Sequence, residues 1–127
     1  STGASRAVGL VLPELEGKLD GLSIRVPVAN GSLIELNATV AQPTSVKDVN
    51  EALGRAAEGS LKGIMEFSTE PLVSGDVIGN PHSAVVDGLM TRVRKGTIVK
   101  VLGWYDNEWA YANRLWETAR QVATQRP

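Results

Sequence analysis

Four places in this 127-residue chain carry side chains suited to chemistry. Thr2 and Gly3 precede a run with helical spacing, and a helix start offers free amides, a hydroxyl and a positive dipole end to an anion. A plain helix cap accounts for the same pair and is the simpler reading. Arg25 lies on the polar side of an alternating stretch with Ser23 and Pro27. It is either a solvated strand residue or an anion clamp, since a guanidinium grips phosphate with two parallel donors. His82, the single histidine, has Ser83 beside it and Asp87 downstream as a conceivable orienting partner. One histidine without an activated nucleophile is a weak catalytic signal, so a structural or loop role is expected. Asn107 follows a strongly apolar strand and opens the last helix, where its amide can donate and accept toward a ligand carboxamide.

Composition removes several alternatives. There is no cysteine, hence no disulfide, thiolate metal site or thiol nucleophile within the chain. That composition suits a cytoplasmic protein. One histidine among scattered carboxylates gives no metal-ligand spacing. The 13 basic and 14 acidic residues are interspersed, so neither nucleic acid nor an acidic-tail partner is expected. No apolar run approaches the length of a membrane helix, and no signal-peptide layout opens the chain. The first residue is not methionine, which points to a piece or a processed form of a longer protein.

The elements that must position these residues can be read from periodicity. Ala4, Val8 and Val11 recur at helical spacing until Pro13, predicting a helix over about 3–12. Leu22, Ile24, Val26 and Val28 alternate with polar residues, as do Ile34, Leu36, Ala38 and Val40. Asn30-Gly31 between them predicts a hairpin, with Pro27 marking an edge or a bulge. Ser45 and Asp48 form a capping-box pattern ahead of Val46, Val49, Leu53 and Ala56, and Gly59 stops that helix. Short strands are expected near 64–67 and 84–86. Two long strands should turn at Lys95-Gly96, the second, Ile98 to Trp104, being central because only Lys100 interrupts its apolar run. Asp106 should cap a final helix reaching about Thr124, with Trp109, Ala112, Trp116, Ala119 and Ala123 on one face and Trp116 in the core. Strands in adjacent runs rather than strict strand-helix alternation imply an α+β fold: a largely antiparallel or mixed sheet with helices packed on one face.

Five of the six Phe, Tyr and Trp residues fall between 104 and 116, four of them in "GWYDNEWAYANRL" and the fifth, Trp116, directly after it. The stretch "VKVLGWYDNEWAYANRL" resembles the C-terminal signature of the glyceraldehyde-3-phosphate dehydrogenase family. "STGASRAV", "GKLDGLSIRVPVANGSLIELN" and "GSLKGIMEF" resemble further segments of that family, in the same order and over essentially the whole chain. The resemblance implies that Thr2 and Gly3 bind the attacking phosphate, and that Arg25 binds substrate or inorganic phosphate. It further implies that Asn107 holds the nicotinamide carboxamide and that Tyr111 lies near the same ring. It implies an NAD or NADP cofactor, sugar phosphate and inorganic phosphate as partners, and a homo-oligomer, tetrameric in the parent. Such a parent oxidises an aldehyde phosphate to an acyl phosphate through an enzyme thioester.

Measured against that family, residues 1–127 correspond to the C-terminal part of the catalytic domain. There is no G-x-G-x-x-G turn of a Rossmann domain and no nucleophilic cysteine, and His82 does not fall where the family's histidine does. The isolated chain is therefore expected to be inactive and to bind no cofactor tightly. Ala110 and Ala112 stand where the family usually has Gly and Ser. "NPHSAVVDG" is closer to erythrose-4-phosphate dehydrogenase and non-glycolytic forms, so erythrose-4-phosphate is the competing substrate. A non-catalytic binding or assembly module is the competing function of another class.

Overall fold

The structure, a computed structural model, describes residues 3–124. Helix α1 spans Ala4–Val11 and is separated by Leu12 alone from Pro13, which opens a short 3-10 turn at Pro13–Leu15. The helix packs chiefly on that turn rather than on the sheet.

The segment that follows departs from expectation. Residues 22–28 form no strand, and the anticipated hairpin around Asn30-Gly31 is absent. Two local events explain this. Pro27 has no amide to give a ladder, and the amide of Val28 turns back to the Val26 carbonyl at 2.9 Å. Asn30 spends its side chain elsewhere: its Oδ1 accepts the Gly31 amide and its Nδ2 reaches a carboxylate 76 residues away. Gly31, at φ 90°, passes so close to Ser74 that a Cβ there would stand 2.7 Å from its carbonyl oxygen. The Asn-Gly pair therefore serves a tertiary crossing, not a hairpin turn.

The body is a mixed five-stranded sheet: β1 (Ser32–Thr39), β2 (Met65–Ser68), β3 (Ala84–Asp87), β4 (Arg92–Arg94) and β5 (Ile98–Tyr105). Strand β5 is central, as its apolar run predicts. Antiparallel β1 pairs along its whole length, from Ser32 opposite Tyr105 to Thr39 opposite Ile98. On its other edge β3 pairs at Trp104 and Gly103, and β4 pairs at Val99. Strand β2 runs parallel to β3, at the far side of the sheet. The three-residue turn between β4 and β5 places Lys95 at φ 51° and Gly96 at φ 72°, and the Thr97 amide closes it on the Arg94 carbonyl at 3.2 Å. Strand β4 is shorter than the sequence suggests, because Gly88–Met90 forms a 3-10 turn stabilised by Asp87.

Helix α2 (Val46–Glu58) has the anticipated capping box. The Ser45 hydroxyl accepts the Asp48 amide, and the Asp48 carboxylate accepts the Ser45 amide. It packs against β2, where Gly54 meets Phe67, and the Asn50 side chain donates to the Gly88 carbonyl. The core is small and sits around β3 and β5: Val77, Val85, Val86, Val99 and Leu102, joined by Ala110. Trp104 donates to the buried Asp87 carboxylate at 3.1 Å, so both oxygens of that group are used. The α+β class with a mixed sheet matches expectation.

Helix α3 (Trp109–Thr124) corrects the expected core. Trp116 is 65% exposed and Trp109 is 51% exposed, whereas Ala110 is buried. The inward face is Ala110, Asn113 and Arg114. Arg114 bridges the Gly63 carbonyl at 3.2 Å and the Ser83 hydroxyl at 3.4 Å, with Glu117 on its far side. A polar anchor has taken the place that apolar periodicity assigned to a tryptophan.

Candidate functional site

Asp106 lies between β5 and α3, directly after Tyr105, and it organises the site. It is 3% exposed and accepts four hydrogen bonds. Oδ1 takes the amides of Glu108 at 3.0 Å and Trp109 at 2.9 Å, which caps the helix. Oδ2 takes the amide of Gly79 at 2.9 Å and the side-chain amide of Asn30 at 3.0 Å. The Gly79, Trp109 and Glu108 amides, in that order, and then Asn30 favour the charged form against the cost of desolvation. The carboxyl falls from 3.8 to about 2. One side chain thus fastens a helix start, a loop and a turn together. The cap was legible in the sequence; the two distant arms were not.

Asn107 is exposed beside this hub. The Ser32 hydroxyl donates to its Oδ1 at 3.5 Å, the outer limit of a hydrogen bond. Tyr111, 69% exposed, lies four residues further along, in the first turn of α3. Next to them lies a shallow cleft of about 310 Å³ lined by Asn30, Gly79, Asp106, Glu108, Trp109 and Ala112. Sequence reasoning missed Asn30, Ser32 and Gly79; the one signal for Asn30 was the Asn-Gly pair, which was read as a turn.

The expected phosphate residues lie apart from this hub in the chain. Gly3 is the residue preceding α1; it has an αR backbone, and its carbonyl accepts the Ala7 amide. Thr2 lies outside the described residues. Arg25 is exposed within the extended, unpaired segment before β1. His82 has a structural setting. Its amide and Nδ1 meet the Asn80 side chain, at 2.9 and 2.8 Å, and Nδ1 lies 3.1 Å from Glu66. Asp87 does not orient it, being held by Trp104 and Met90. Among the described residues no cluster of three or more His, Cys, Asp or Glu could hold a metal, and no helix is long and apolar enough to cross a membrane.

Comparison with known proteins gives these residues a context. The family profile described as glyceraldehyde 3-phosphate dehydrogenase, C-terminal domain, matches residues 1–107. A chromosomal glyceraldehyde-3-phosphate dehydrogenase of Cupriavidus necator is 53% identical over 122 residues, covering 96% of this chain and 36% of that protein. Glyceraldehyde-3-phosphate dehydrogenase 1 of Bacillus subtilis is 54% identical over 123 residues, covering 97% of this chain and 37% of that protein. The enzyme of Mycolicibacterium smegmatis is 52% identical over 115 residues, covering 91% and 34% respectively. The chain thus spans about a third of the length of such relatives. It belongs to the glyceraldehyde-3-phosphate dehydrogenase family, as part of its C-terminal domain.

Proposed function

We propose that the chain is the C-terminal part of the catalytic domain of a phosphorylating, NAD- or NADP-dependent aldehyde dehydrogenase, with glyceraldehyde 3-phosphate as substrate. The observation that carries this reading is the Asn107 site, an exposed amide beside a four-bonded buried carboxylate and one turn from a phenol. A nicotinamide, when bound, supplies the electron-pair acceptor for oxidising the aldehyde. Asn107 would hold its carboxamide and so fix which ring face meets the substrate, with Tyr111 beside the ring. Thr2, Gly3 and Arg25 would supply amides, a hydroxyl and a guanidinium to substrate and inorganic phosphate. With no cysteine in these residues, the thioester-forming nucleophile belongs to the rest of the longer protein, as does the dinucleotide-binding Rossmann domain.

The same reading places the protein in the cytoplasm and as a homo-oligomer. Leu33, Ile34 and Leu36 on edge strand β1 and Leu22, Ile24 and Val26 before it are all exposed. Exposed apolar side chains in such number fit an interface. The functional test is phosphate-dependent reduction of NAD by the longer protein, run in parallel with glyceraldehyde 3-phosphate and erythrose 4-phosphate. Preference for the first is expected, with a raised KM for phosphate in Arg25→Ala. Preference for erythrose 4-phosphate would replace the substrate assignment. No reaction with either would leave a binding or assembly module as the better description.

A further inference from the structure

Asn107 holds no position by itself: it is exposed, and its own side chain has a single long contact, to Ser32. What fixes it lies on both sides. The bond from the Glu108 amide to Asp106 Oδ1 spans Asn107, closing an Asx turn with Asn107 inside it. Asp106 Oδ2 then pulls in the Asn30 side chain, and two residues on, Ser32 returns to Asn107. Ser32 is itself set by its place opposite Tyr105 in the β1–β5 ladder. The contacts form a ring: Asp106, Asn30, Gly31, Ser32, Asn107. Gly79 is tied in from outside, through its amide.

We propose that Asp106 is a positioning residue for the cofactor site, whose loop-facing oxygen, through Asn30 and Gly79, sets where the Asn107 amide is presented. This rests on the reading of Asn107 as the carboxamide contact. The two oxygens do separable work. In Asp106→Asn the retained oxygen still caps α3, because asparagine is as good a cap as aspartate. The new NH2 group, however, faces two donors, the Gly79 amide and the Asn30 amide, and cannot accept from either. The helix start survives while the loop arm is lost.

The test uses the longer protein and two ligands, NAD and ADP-ribose, which lacks the nicotinamide. Dissociation constants are measured by calorimetry for wild type, Asp106→Asn and Asn107→Ala. Asp106→Asn is expected to weaken NAD about tenfold, the equivalent of one hydrogen bond, and to leave ADP-ribose within about twofold. Asn107→Ala should show the same selectivity. If Asn107→Ala weakens NAD and Asp106→Asn does not, the positioning role is wrong while the site reading stands. If Asn107→Ala changes nothing, the site reading itself fails and takes the positioning role with it. Equal loss of NAD and ADP-ribose in Asp106→Asn makes Asp106 a general structural residue and overturns the proposal. Should that variant be insoluble, Asn30→Ala, which removes one arm, decides in its place. A selective but smaller loss of NAD affinity supports the proposal, and an unselective loss or no loss rejects it.

Discussion

Two stretches of this chain carry the same pattern and meet different fates. Leu22, Ile24, Val26 and Val28 alternate as regularly as Ile34, Leu36, Ala38 and Val40. The second set, up to Ala38, lies in β1, which is paired to β5 over eight residues; the first pairs with nothing in the sheet, and Ile24 is 77% exposed. Alternation gives a segment two faces, but a strand also needs an edge that accepts its amides. β5 offers such an edge to β1. Pro27 and the Val26–Val28 turn remove the first stretch from competition for the next one. The same contrast divides the proposed sites. Asn107 sits on the sheet body and is braced by it, while Arg25 sits in the unpaired stretch.

Substitutions can break this comparison. The largest effect is expected in the body. Val85 is 2% exposed in β3, and Val85→Ala should cost about 2 kcal/mol in denaturant unfolding, from lost burial plus a cavity. Acid comes next. Because the Asp106 carboxyl is lowered from 3.8 to about 2, its contribution to stability is complete above 3.8 and disappears as pH falls through about 2. Thermal unfolding followed from pH 5 to pH 2 should show a loss that Asp106→Asn removes. Ser45→Ala, which deletes the α2 cap, should cost about 1 kcal/mol. Smallest is Ile24→Ser, expected to change stability by no more than about 0.5 kcal/mol. A cost like that of Val85→Ala would mean that the first stretch is packed after all, and the contrast would collapse.

The unpaired apolar stretch has a further consequence. The isolated chain is expected to self-associate, with a two-fold dimer favoured because closed isologous contacts are the commonest arrangement. Sedimentation equilibrium at micromolar concentration reads this directly. Ile24→Ser should then weaken association while leaving unfolding unchanged. A clean monomer near 13.5 kDa would show that the exposed apolar residues do not make an interface by themselves.

What the sequence made legible was local. The Ser45–Asp48 box, the Lys95-Gly96 turn, the centrality of β5 and the Asp106 cap each depend on residues within a few positions of one another. What it hid was set by distant partners. Asn30 looked like a hairpin turn because its carboxylate partner is 76 residues away. Trp116 looked like core because helical periodicity does not reveal that Arg114 finds Gly63 and Ser83. The parallel pairing of β2 with β3 likewise has no local signature. The roles proposed for Asn107 and Tyr111 come from family likeness, and the structure adds the contacts of Asp106, Asn30 and Ser32 around Asn107. Arg25 and Gly3 gain no such bracing among the described residues.

The proposed function divides the labour: these residues would bind cofactor and phosphate, and the rest of a longer protein would perform the covalent chemistry. The direct measurement places the 127-residue chain and the longer protein side by side with glyceraldehyde 3-phosphate, NAD and phosphate, and follows reduced cofactor. Turnover is expected from the longer protein, and none above a protein-free blank from the isolated chain. Turnover by the isolated chain that survives repurification would contradict it.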